Sequence, residues 1–339
     1  MRVDVVLRGM NQAAMTECAL AADSLTDGPV TLWLPESPGD RNPFVTAAVL
    51  LTRTRRTRIG TGVVPIPLRS TIGLVAAAMT LEEAFPGRFD LGVGTGNVHA
   101  LRQAGVADSG PPLAVAERFL LAMAGKRPGS APLVDISPFR RPPFYLAAHN
   151  RRMIDLAVRR ADGVILNAVA ASDLSGAIDH VRACAAAAGT QPAVGMYQLA
   201  AFGPPADAVR SVRRVLAGFL RSPAVRRRLH SFGSPHGPVA ETLATLPPTS
   251  TDDELAAALP DDVVEDFGVT SEAALSQRLR LAEGLGVSFV ALSVFPTPLR
   301  LRKPFPPVPE QRPALEATID VLMQIARWSS ASAAGVPAR

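Results

Sequence analysis

The chain of 339 residues is poor in aromatic side chains, which make up 5% of it, and it contains only two cysteines, Cys18 and Cys184. Neither cysteine has a partner at the spacing of a redox motif or a metal site, which excludes a disulfide framework. Both therefore read as inert core thiols in a reducing compartment. The sequence predicts no metal site.

Long apolar runs and long basic blocks are also missing. No run of about 18 uncharged apolar residues is present, so we expect no membrane span. The first nine residues lack the charged start and apolar stretch of a signal peptide, so we expect a cytoplasmic protein. The formal net charge is +5, and no basic block predicts a nucleic-acid-binding arm.

The basic residues are nearly all arginines, and they concentrate at residues 53–58, 151–160 and 221–228. Each run lies at the edge of a predicted helix or strand. Solvated helix faces and strand entries are one interpretation of such runs. Contacts to an anionic small ligand are the other.

Short apolar runs alternate with Ala/Leu-rich windows along almost the whole chain, of which 47% is hydrophobic. The apolar runs predict eight buried parallel strands, at residues 3–7, 30–34, 58–64, 89–93, 144–147, 163–167, 193–200 and 288–294. The windows predict helices at residues 12–25, 44–53, 72–85, 113–124, 151–160, 173–188, 206–220, 271–284 and 314–328. This alternation favours an α/β fold of the (β/α)8 TIM-barrel type over a doubly wound open sheet with two Rossmann-like lobes.

The predicted barrel is one domain, residues 1–328, and residues 329–339 read as a frayed tail. Two stretches depart from the regular alternation, at about residues 105–137 and 221–269. The second contains short helical pieces and no persuasive strand. We expect both stretches to be insertions over the carboxyl-end face of the barrel, where they would shape the substrate pocket.

The stretch GRFDLGVGTGN, residues 87–97, poses the question of a nucleotide site. A dinucleotide fingerprint needs G-x-G-x-x-G, and Asn97 stands where the third glycine belongs. A phosphate-binding P-loop fails as well, because no Gly-Lys-Ser/Thr follows. Thr95 and Asn97 instead offer polar groups at the carboxyl end of a strand, which is where barrels bind ligands.

Two other strand ends carry similar chemistry. In RIGTGVVPIPLR, residues 58–69, the glycines loosen the strand end and the prolines predict an extended or bulged segment in place of a helix. In YLAAHNRRM, residues 145–153, a helix is predicted to begin near Arg151. Its free N–H groups, beside Arg151 and Arg152, would suit a phosphate.

The segments RIGTGVVPIPLRSTIGLVAAAMTLEEAFPGRFDLGVGTGN and PPFYLAAHNRRMIDLAVRRADGVILN resemble the bacterial-luciferase-like superfamily of flavin and deazaflavin oxidoreductases. They are most similar to the branch that uses coenzyme F420. The resemblance implies a luciferase-like (β/α)8 barrel with the cofactor at the carboxyl ends of the strands. It also implies a non-prolyl cis peptide at Gly62–Val63, backing the central ring of the cofactor.

The same resemblance implies a set of cofactor contacts, with the ring against the second, third and fourth strands and the phosphate on the loop at residues 149–150. The implied residues are Glu36, Ser37, Gly62, Val63, Val64, Pro65, Thr95, Gly96, Asn97, Ala148, His149, Asn150, Arg152, Met153 and Asn167. Relatives carry glycines in the phosphate loop where this chain has His149 and Asn150.

Two departures from the family bear on catalysis. Its sugar-phosphate dehydrogenases place a histidine where this chain has Ser37 and a glutamate where it has Asn97, so sugar oxidation of that type is not expected. We predict Glu36, Asn97 and His99 as the catalytic residues. Glu36, His99 and His149 are the candidate proton donors, and each is equally compatible with a satisfied surface group.

The resemblance implies an F420H2-dependent reductase that transfers a hydride from the deazaflavin to an electron-poor C=C or C=N of an organic substrate. An FMN-dependent luciferase-like monooxygenase is one alternative, and a non-catalytic flavin-binding barrel is another. A small-molecule or peptide-like substrate and a homodimer are the expected partners. Nucleic acid and membrane are not.

Overall fold

The computed structural model describes residues 1–25, 28, 30–37, 41–106, 110–125, 140–247, 249–297 and 314–325, with the side chains of His99 and Gln103 outside that description. The predicted tail at 329–339 and the end of the last predicted helix lie outside the described residues. So does part of the stretch 105–137.

Parallel strands close on themselves around a central core. The strands are β1 (Arg2–Val6), β2 (Thr31–Leu34), β3 (Arg58–Thr61), β4 (Val64–Pro65), β5 (Phe89–Gly94), β6 (Phe144–Ala148), β7 (Gly163–Asn167), β8 (Ala193–Ala201), β9 (Gly268–Val269) and β10 (Phe289–Phe295). Strand β10 pairs with both β1 and β8, which closes the barrel. The barrel has eight strand positions, called staves below. Strands β3 and β4 together form the third stave, and β9 is an extra strand paired with β8. The predicted (β/α)8 barrel is confirmed.

Helices cover the outside of the barrel. They are α1 (Gln12–Asp23), α2 (Pro43–Arg53), α3 (Thr71–Ala84), α4 (Val98–Gln103), α5 (Pro112–Met123), α6 (Arg151–Arg160), α7 (Ala171–Ala188), α8 (Pro205–Leu220), α9 (Pro223–Phe232), α10 (Gly237–Thr245), α11 (Asp252–Ala257), α12 (Asp261–Phe267), α13 (Glu272–Gly284) and α14 (314–325). Many begin where a side chain accepts a first-turn N–H, as at Asn11, Asn42, Ser70, Asn150 and Ser271. Among the described residues, none of these helices is long and apolar enough to cross a membrane.

Several local predictions were wrong. The predicted third strand, residues 58–64, is divided at residues 62–63 by the expected bulge, which leaves β3 and β4. A 3-10 turn, Ile66–Leu68, replaces the extended segment that the prolines indicated, since proline is tolerated in the first turn of a helix. The short helix α4 was not predicted. Strand β9 lies in the stretch for which no strand was expected, because its two residues find a partner on β8.

The barrel interior is filled by aromatic rings, although the chain has few of them. One buried cluster contains Val6, Trp33, Tyr145, Ile165, Tyr197, Phe289 and Ala291, and so includes both tyrosines of the chain. Trp33 stacks on Phe289 with 5.2 Å between ring centroids, and its edge meets Tyr145 at 5.8 Å. Gly60 leaves the room for this, because a Cβ there would lie 2.5 Å from the Trp33 ring.

The two cysteines differ from each other. Cys18 is fully buried in the core, and burial raises the pKa of its thiol to about 12. Cys184 is only half-buried, on α7, and its thiol lies 3.6 Å from His180. Cys184 nevertheless packs against the main core, so the prediction of two core thiols is confirmed for Cys18 and holds in part for Cys184.

Residues 221–269, called the insertion below, include α9 to α12 and β9. Together with α8 they form a second apolar cluster, separate from the main core, with Leu216, Leu229, Leu243 and Phe267 among its buried members. Because β9 pairs with Leu199 and Ala200 near the end of β8, the insertion is anchored at the carboxyl-end rim of the barrel. Helix α5, in the other variable stretch, packs in the outer ring of helices between α3 and α6.

Candidate functional site

The carboxylate of Glu36, just beyond β2, is held by an arginine that sequence reasoning missed. Arg69 donates from Nη1 to Oε2 and from Nη2 to Oε1 of Glu36, both at 2.5 Å. The guanidinium of Arg69 also lies 5.5 Å from the centroid of the Phe44 ring. Because both oxygens of Glu36 accept from one planar donor, the carboxylate is fixed in position. The sequence feature that could have indicated this pair is the charged side chain of Arg69 at the end of the bulged segment.

The third strand ends in the expected bulge, and the Gly62–Val63 peptide is cis, as the family resemblance implied. The amide of Gly62 donates to the carbonyl of Leu34 at 2.7 Å. Any Cβ on Gly62 would overlap the hydroxyl of Tyr197 and lie 2.8 Å from Cβ of Trp33. Val64 and Pro65 are buried, whereas Val63 is half-buried and remains accessible at the rim.

The hydroxyl of Tyr197 is buried directly beside this bulge, and it has no hydrogen-bond partner among the described residues. Burial raises the pKa of this phenol well above its usual range, so it stays protonated at neutral pH. The hydroxyl fills the space that a side chain at Gly62 would need. Sequence reasoning missed this residue, since nothing local marks an inward-facing tyrosine as lying next to a particular glycine.

The fourth strand ends in the stretch Thr95 to Asn97. Gly96 adopts a φ of 75°, which favours glycine, and a Cβ there would lie 3.1 Å from both Pro65 and Leu101. Asn97 is exposed, and its Oδ1 accepts the N–H of Ala100 at 3.3 Å, in the manner of an N-cap for α4. The side chain of His99 lies outside the described residues.

The predicted phosphate loop is partly occupied by the chain itself. Oδ1 of Asn150 accepts the N–H of Met153 at 3.0 Å, and the Met153 side chain is buried in the core. Arg151 turns toward the insertion, where its Nε donates to the Ser231 carbonyl at 2.9 Å. Arg152 is exposed and has no hydrogen-bond partner in the part of the chain that the structure describes. It is the cation available for an anion at this helix start.

His149 is half-buried, with helix α8 and Arg228 of the insertion close to it. Its Nδ1 is buried and has no hydrogen-bond partner among the described atoms, and its ring lies 6.1 Å from the ring of Phe219. Burial, reinforced by the nearby charge of Arg228, lowers the pKa of His149 to about 3. The imidazole is therefore neutral near pH 7, which argues against His149 as a proton donor and gives it no charge with which to bind a phosphate.

Arg228, on α9, is the third functional candidate that sequence reasoning missed, after Arg69 and Tyr197. It is 4% exposed, and it donates to the carbonyls of Asn167 and Ala168 at 2.7 and 2.8 Å. Burial lowers the pKa of its guanidinium to about 10, so it stays charged at neutral pH. One sequence feature could have indicated its burial. Arg228 follows Val225 by three residues, which places it on the apolar face of α9.

A second contact ties the insertion to the barrel. His236 shares a hydrogen bond of 2.6 Å with Asp266, which also accepts from the Ser172 hydroxyl at 2.5 Å and from its backbone N–H at 3.1 Å. The hydrogen bond to Asp266 raises the pKa of His236. Although burial acts in the other direction, the bonds from His236 and Ser172 lower the pKa of Asp266 to about 2.

A cavity of about 280 Å³ opens at the carboxyl ends of β1 and β2. It is lined by Leu7, Arg8, Gly9, Met10, Met15, Leu34, Pro35, Ser37, Arg41, Pro43 and Thr46. Of the predicted cofactor contacts, only Ser37 lines it. Within the described residues no group of three or more His, Cys, Asp or Glu side chains is arranged to hold a metal ion.

The remaining predicted residues end the strands on the same rim. Ala148 is buried at the end of β6, and Asn167 ends β7 with its backbone carbonyl bonded to Arg228. The pairing of β4 with β5 brings the end of the bulge next to Thr95, since Val64 pairs with Val93 and Pro65 with Gly94. Glu36, the bulge and Thr95 thus follow neighbouring staves, while His149 and Asn167 lie under the insertion.

Comparison with known proteins supports this architecture. A 5,10-methylenetetrahydromethanopterin reductase of Methanolobus tindarius is 24% identical over 203 residues, which span 56% of this chain and 62% of that protein. The F420-dependent tetrahydromethanopterin reductase of Methanopyrus kandleri superposes with a TM-score of 0.68 at 18% identity, covering 86% of this chain and 93% of that one. The FMN-bound oxygenating constituent of 3,6-diketocamphane monooxygenase from Pseudomonas putida gives 0.60 at 16% identity, covering 96% and 98%.

The family described as luciferase-like monooxygenase matches residues 6–288, most of the chain. The solved structures named above have the same barrel fold as this chain. The expectation of a luciferase-like oxidoreductase is confirmed at this level, and the chain belongs to the luciferase-like monooxygenase family.

Proposed function

We propose that the protein is an F420H2-dependent reductase acting on an electron-poor C=C or C=N of an organic substrate. The observation that carries the proposal is the small-residue surface where three staves meet at the rim. A Cβ on Gly94 would lie 2.9 Å from Val63 and 3.5 Å from Ala147. Gly94 thus makes room for Val63, and the half-buried Val63 side chain with its small neighbours would support a flat ring system.

The residues at the rim fit such a group. Val63 and the glycine-rich end of β5 would support the ring, and the fixed Glu36–Arg69 pair presents both hydrogen-bond acceptors and donors beside it. The exposed guanidinium of Arg152 and the first N–H groups of α6 would hold the phosphate. When bound, a reduced deazaflavin supplies a hydride from a ring carbon.

This chain's own residues would orient the reactants, and they narrow the choice of proton source. His149 is neutral and its Nδ1 is buried, and both oxygens of Glu36 are held by Arg69. Asn97 caps α4 and has no ionisable group. We therefore assign orientation to Glu36 and Asn97, and we leave His99 as the ionisable side chain of the predicted catalytic set to be tested as the donor.

An FMN-dependent monooxygenase is the second candidate, favoured by the FMN-bound neighbour of the same fold. Fluorescence titration of the purified protein with F420 and with FMN separates the two. We expect F420 to bind more tightly, and turnover of reduced F420 with an activated alkene or imine. Tight FMN binding without measurable affinity for F420 would overturn the proposal.

The phosphate contact can be tested separately. Arg152→Gln should weaken F420 binding about tenfold, as expected for the loss of one charge-assisted hydrogen bond, but should leave unchanged the binding of a deazaflavin that lacks the phosphate. Arg53→Gln, an exposed arginine at the far end of α2, is the matched control. If Arg152→Gln weakens the binding of both ligands equally, the phosphate does not bind at the start of α6.

We further propose a homodimer through α2 and α3. Val45 and Val49 on α2 are 64% and 39% exposed, and Ile72 on the neighbouring helix α3 is 48% exposed. Large apolar side chains grouped on adjacent helices are typical of an interface. Light scattering should give twice the chain mass, and Val45→Asp should give a monomer. A monomeric wild-type protein would contradict this.

A further inference from the structure

The chain turns sharply where β7 ends. Ala168, the first residue after this strand, adopts a φ of 45°, and within the described part of the chain it is the one residue other than glycine with a positive φ. A residue with a Cβ pays free energy for this left-handed conformation, because the Cβ approaches the following carbonyl oxygen. Such a turn persists only where the surrounding structure holds it, and strained residues of this kind concentrate at ligand sites.

Arg228 of the insertion holds this turn. Consecutive carbonyls of an extended chain point in opposite directions, whereas the left-handed residue turns those of Asn167 and Ala168 to the same side. Nη1 and Nη2 of Arg228 donate to these two carbonyls at 2.7 and 2.8 Å. The Ala168 methyl group is buried in the second apolar cluster, which the insertion forms with α8. The insertion therefore holds Ala168 by its backbone and by its side chain.

The residue just before the turn faces the mouth of the barrel. Side chains alternate between the two faces of a strand, and Ile165 belongs to the aromatic cluster inside the barrel. Asn167, two residues later, lies on the same face at the carboxyl end of β7, and it is half-buried. Its carboxamide, which offers two N–H donors and one acceptor, has no hydrogen-bond partner among the described residues.

We propose that Arg228 is a positioning residue for the cofactor: it holds the turn at Ala168, and the turn keeps the carboxamide of Asn167 at the barrel mouth, where it binds the cofactor. The inference rests on the proposed function, because it takes the cofactor as the ligand of Asn167. It makes the insertion a determinant of cofactor binding, although Arg228 lies 61 residues from Asn167 in the sequence and acts through the backbone alone.

The first test asks whether Arg228 acts through Asn167. The affinity for F420 is measured by fluorescence titration at a temperature at which circular dichroism shows each variant to be folded. Asn167→Ala and Arg228→Met should each weaken binding about tenfold, and the double variant should also lose about tenfold in place of about a hundredfold. Arg227→Met, at the exposed neighbouring position, is the matched control and should bind F420 as the wild type does.

Arg228→Lys repeats the cycle in case the methionine variant does not fold. Lysine keeps the charge but lacks the planar pair of donors that two carbonyls need, so it should give the same pattern with a smaller loss. Losses that multiply in the double variants would overturn the inference, because they would show that Arg228 and Asn167 affect binding independently.

The second test replaces the strained residue. Glycine adopts a φ of 45° without a steric cost, so with glycine at position 168 the turn no longer depends on Arg228. Adding Ala168→Gly to Arg228→Met should recover at least about threefold of the lost affinity. Failure to recover any affinity would contradict a role through the turn. So would an equal gain when Ala168→Gly is introduced into the wild-type chain.

A third measurement needs no cofactor. The N–H of Ala168 donates to the carbonyl of Tyr197 at 3.0 Å. In Arg228→Met, hydrogen exchange at this amide should become about tenfold faster relative to the amides of β1, and Ala168→Gly should restore it. Unchanged exchange would overturn the inference even if F420 binds. If the wild type binds neither F420 nor FMN while the exchange responds as expected, the proposed function fails and the hold of Arg228 on the turn is supported.

Discussion

The two halves of the barrel rim are built in different ways. At the ends of β2 to β5, which we call the open half, each polar group lies within a few residues of its own strand: Glu36 after β2, the bulge after β3, Asn97 after β5. At the ends of β6 to β8, the covered half, the polar groups are satisfied by the distant insertion. Arg228 reaches Asn167 from 61 residues away.

The difference separates two functions of a barrel rim. The open half keeps small side chains and an accessible backbone, which suits a flat ligand and its reactant. The covered half buries charged groups against backbone carbonyls, and among the described residues it offers few free donors beyond Arg152. A ligand therefore contacts residues next to the strand ends in the open half. In the covered half it contacts the insertion, which is distant from those strands in sequence.

The largest effect is expected in the covered half. Arg228→Met should lower the free energy of unfolding by about 3 kcal/mol, because it leaves the carbonyls of Asn167 and Ala168 buried without donors. Urea unfolding measures this. Arg227→Met, at the exposed neighbouring position, should change stability by less than about 0.5 kcal/mol. Similar losses for the two variants would show that the buried contacts do not attach the insertion.

The open half is tested at the bulge. Gly62→Ala should destabilise the protein by about 2 kcal/mol, because the new methyl group overlaps the Tyr197 hydroxyl. Tyr197→Phe removes that hydroxyl, and alone it should be neutral or slightly stabilising, since the hydroxyl has no partner among the described residues. The double variant should recover at least half of the loss. Strict additivity in thermal unfolding would refute the steric explanation.

The pH dependence of the covered half follows from His236 and Asp266. The raised pKa of His236 adds stability below about pH 6.5, which is lost as the pH rises through the folded-state value. The lowered pKa of Asp266 adds stability above about pH 4, which is lost as the pH falls toward 2. The pair should therefore contribute most between these limits.

His236→Gln should remove the decline in stability above pH 6.5, which urea unfolding across pH 5 to 9 measures. His230→Gln is the control, because His230 is exposed and pairs with Glu241 on the surface. An unchanged pH profile in the His236 variant would exclude the His236–Asp266 bond as the source.

The smallest effect is expected at Asn97. Asn97→Ala should cost about 1 kcal/mol through loss of the α4 cap, while Asn97→Asp keeps the cap and should be nearly neutral. Hydrogen exchange at the start of α4 measures the local change. If both variants lose turnover while α4 stays protected, Asn97 acts on the reactants directly and its capping role is secondary.

Much of the fold was predictable because its signals are local. Helix α6 and strand β7 have the predicted bounds, since a capping residue and a short apolar run determine them within a few residues. The bulge at Gly62–Val63 was likewise predicted from its own segment and the family resemblance.

The rest of the site depends on residues that meet only after folding. Arg69 lies 33 residues from Glu36, and neither residue indicates the other in the sequence. Arg228 lies in an arginine run whose other members are exposed or half-buried, so its burial follows from the packing of α9 on the rim. Strand β9 exists only because β8 offers an edge to its two residues.

The aromatic cluster inside the barrel also determines the optical properties of the protein. Of the two tryptophans in the chain, Trp33 lies within 6 Å of both tyrosine rings, and its indole donates to Asp4 at 3.1 Å. Its neighbour in the cluster, Tyr197, reaches Gly62 at the rim. With Trp328 replaced by phenylalanine, ultraviolet emission would come from a single indole beneath the ring site, and a yellow chromophore bound above it would quench that emission by energy transfer.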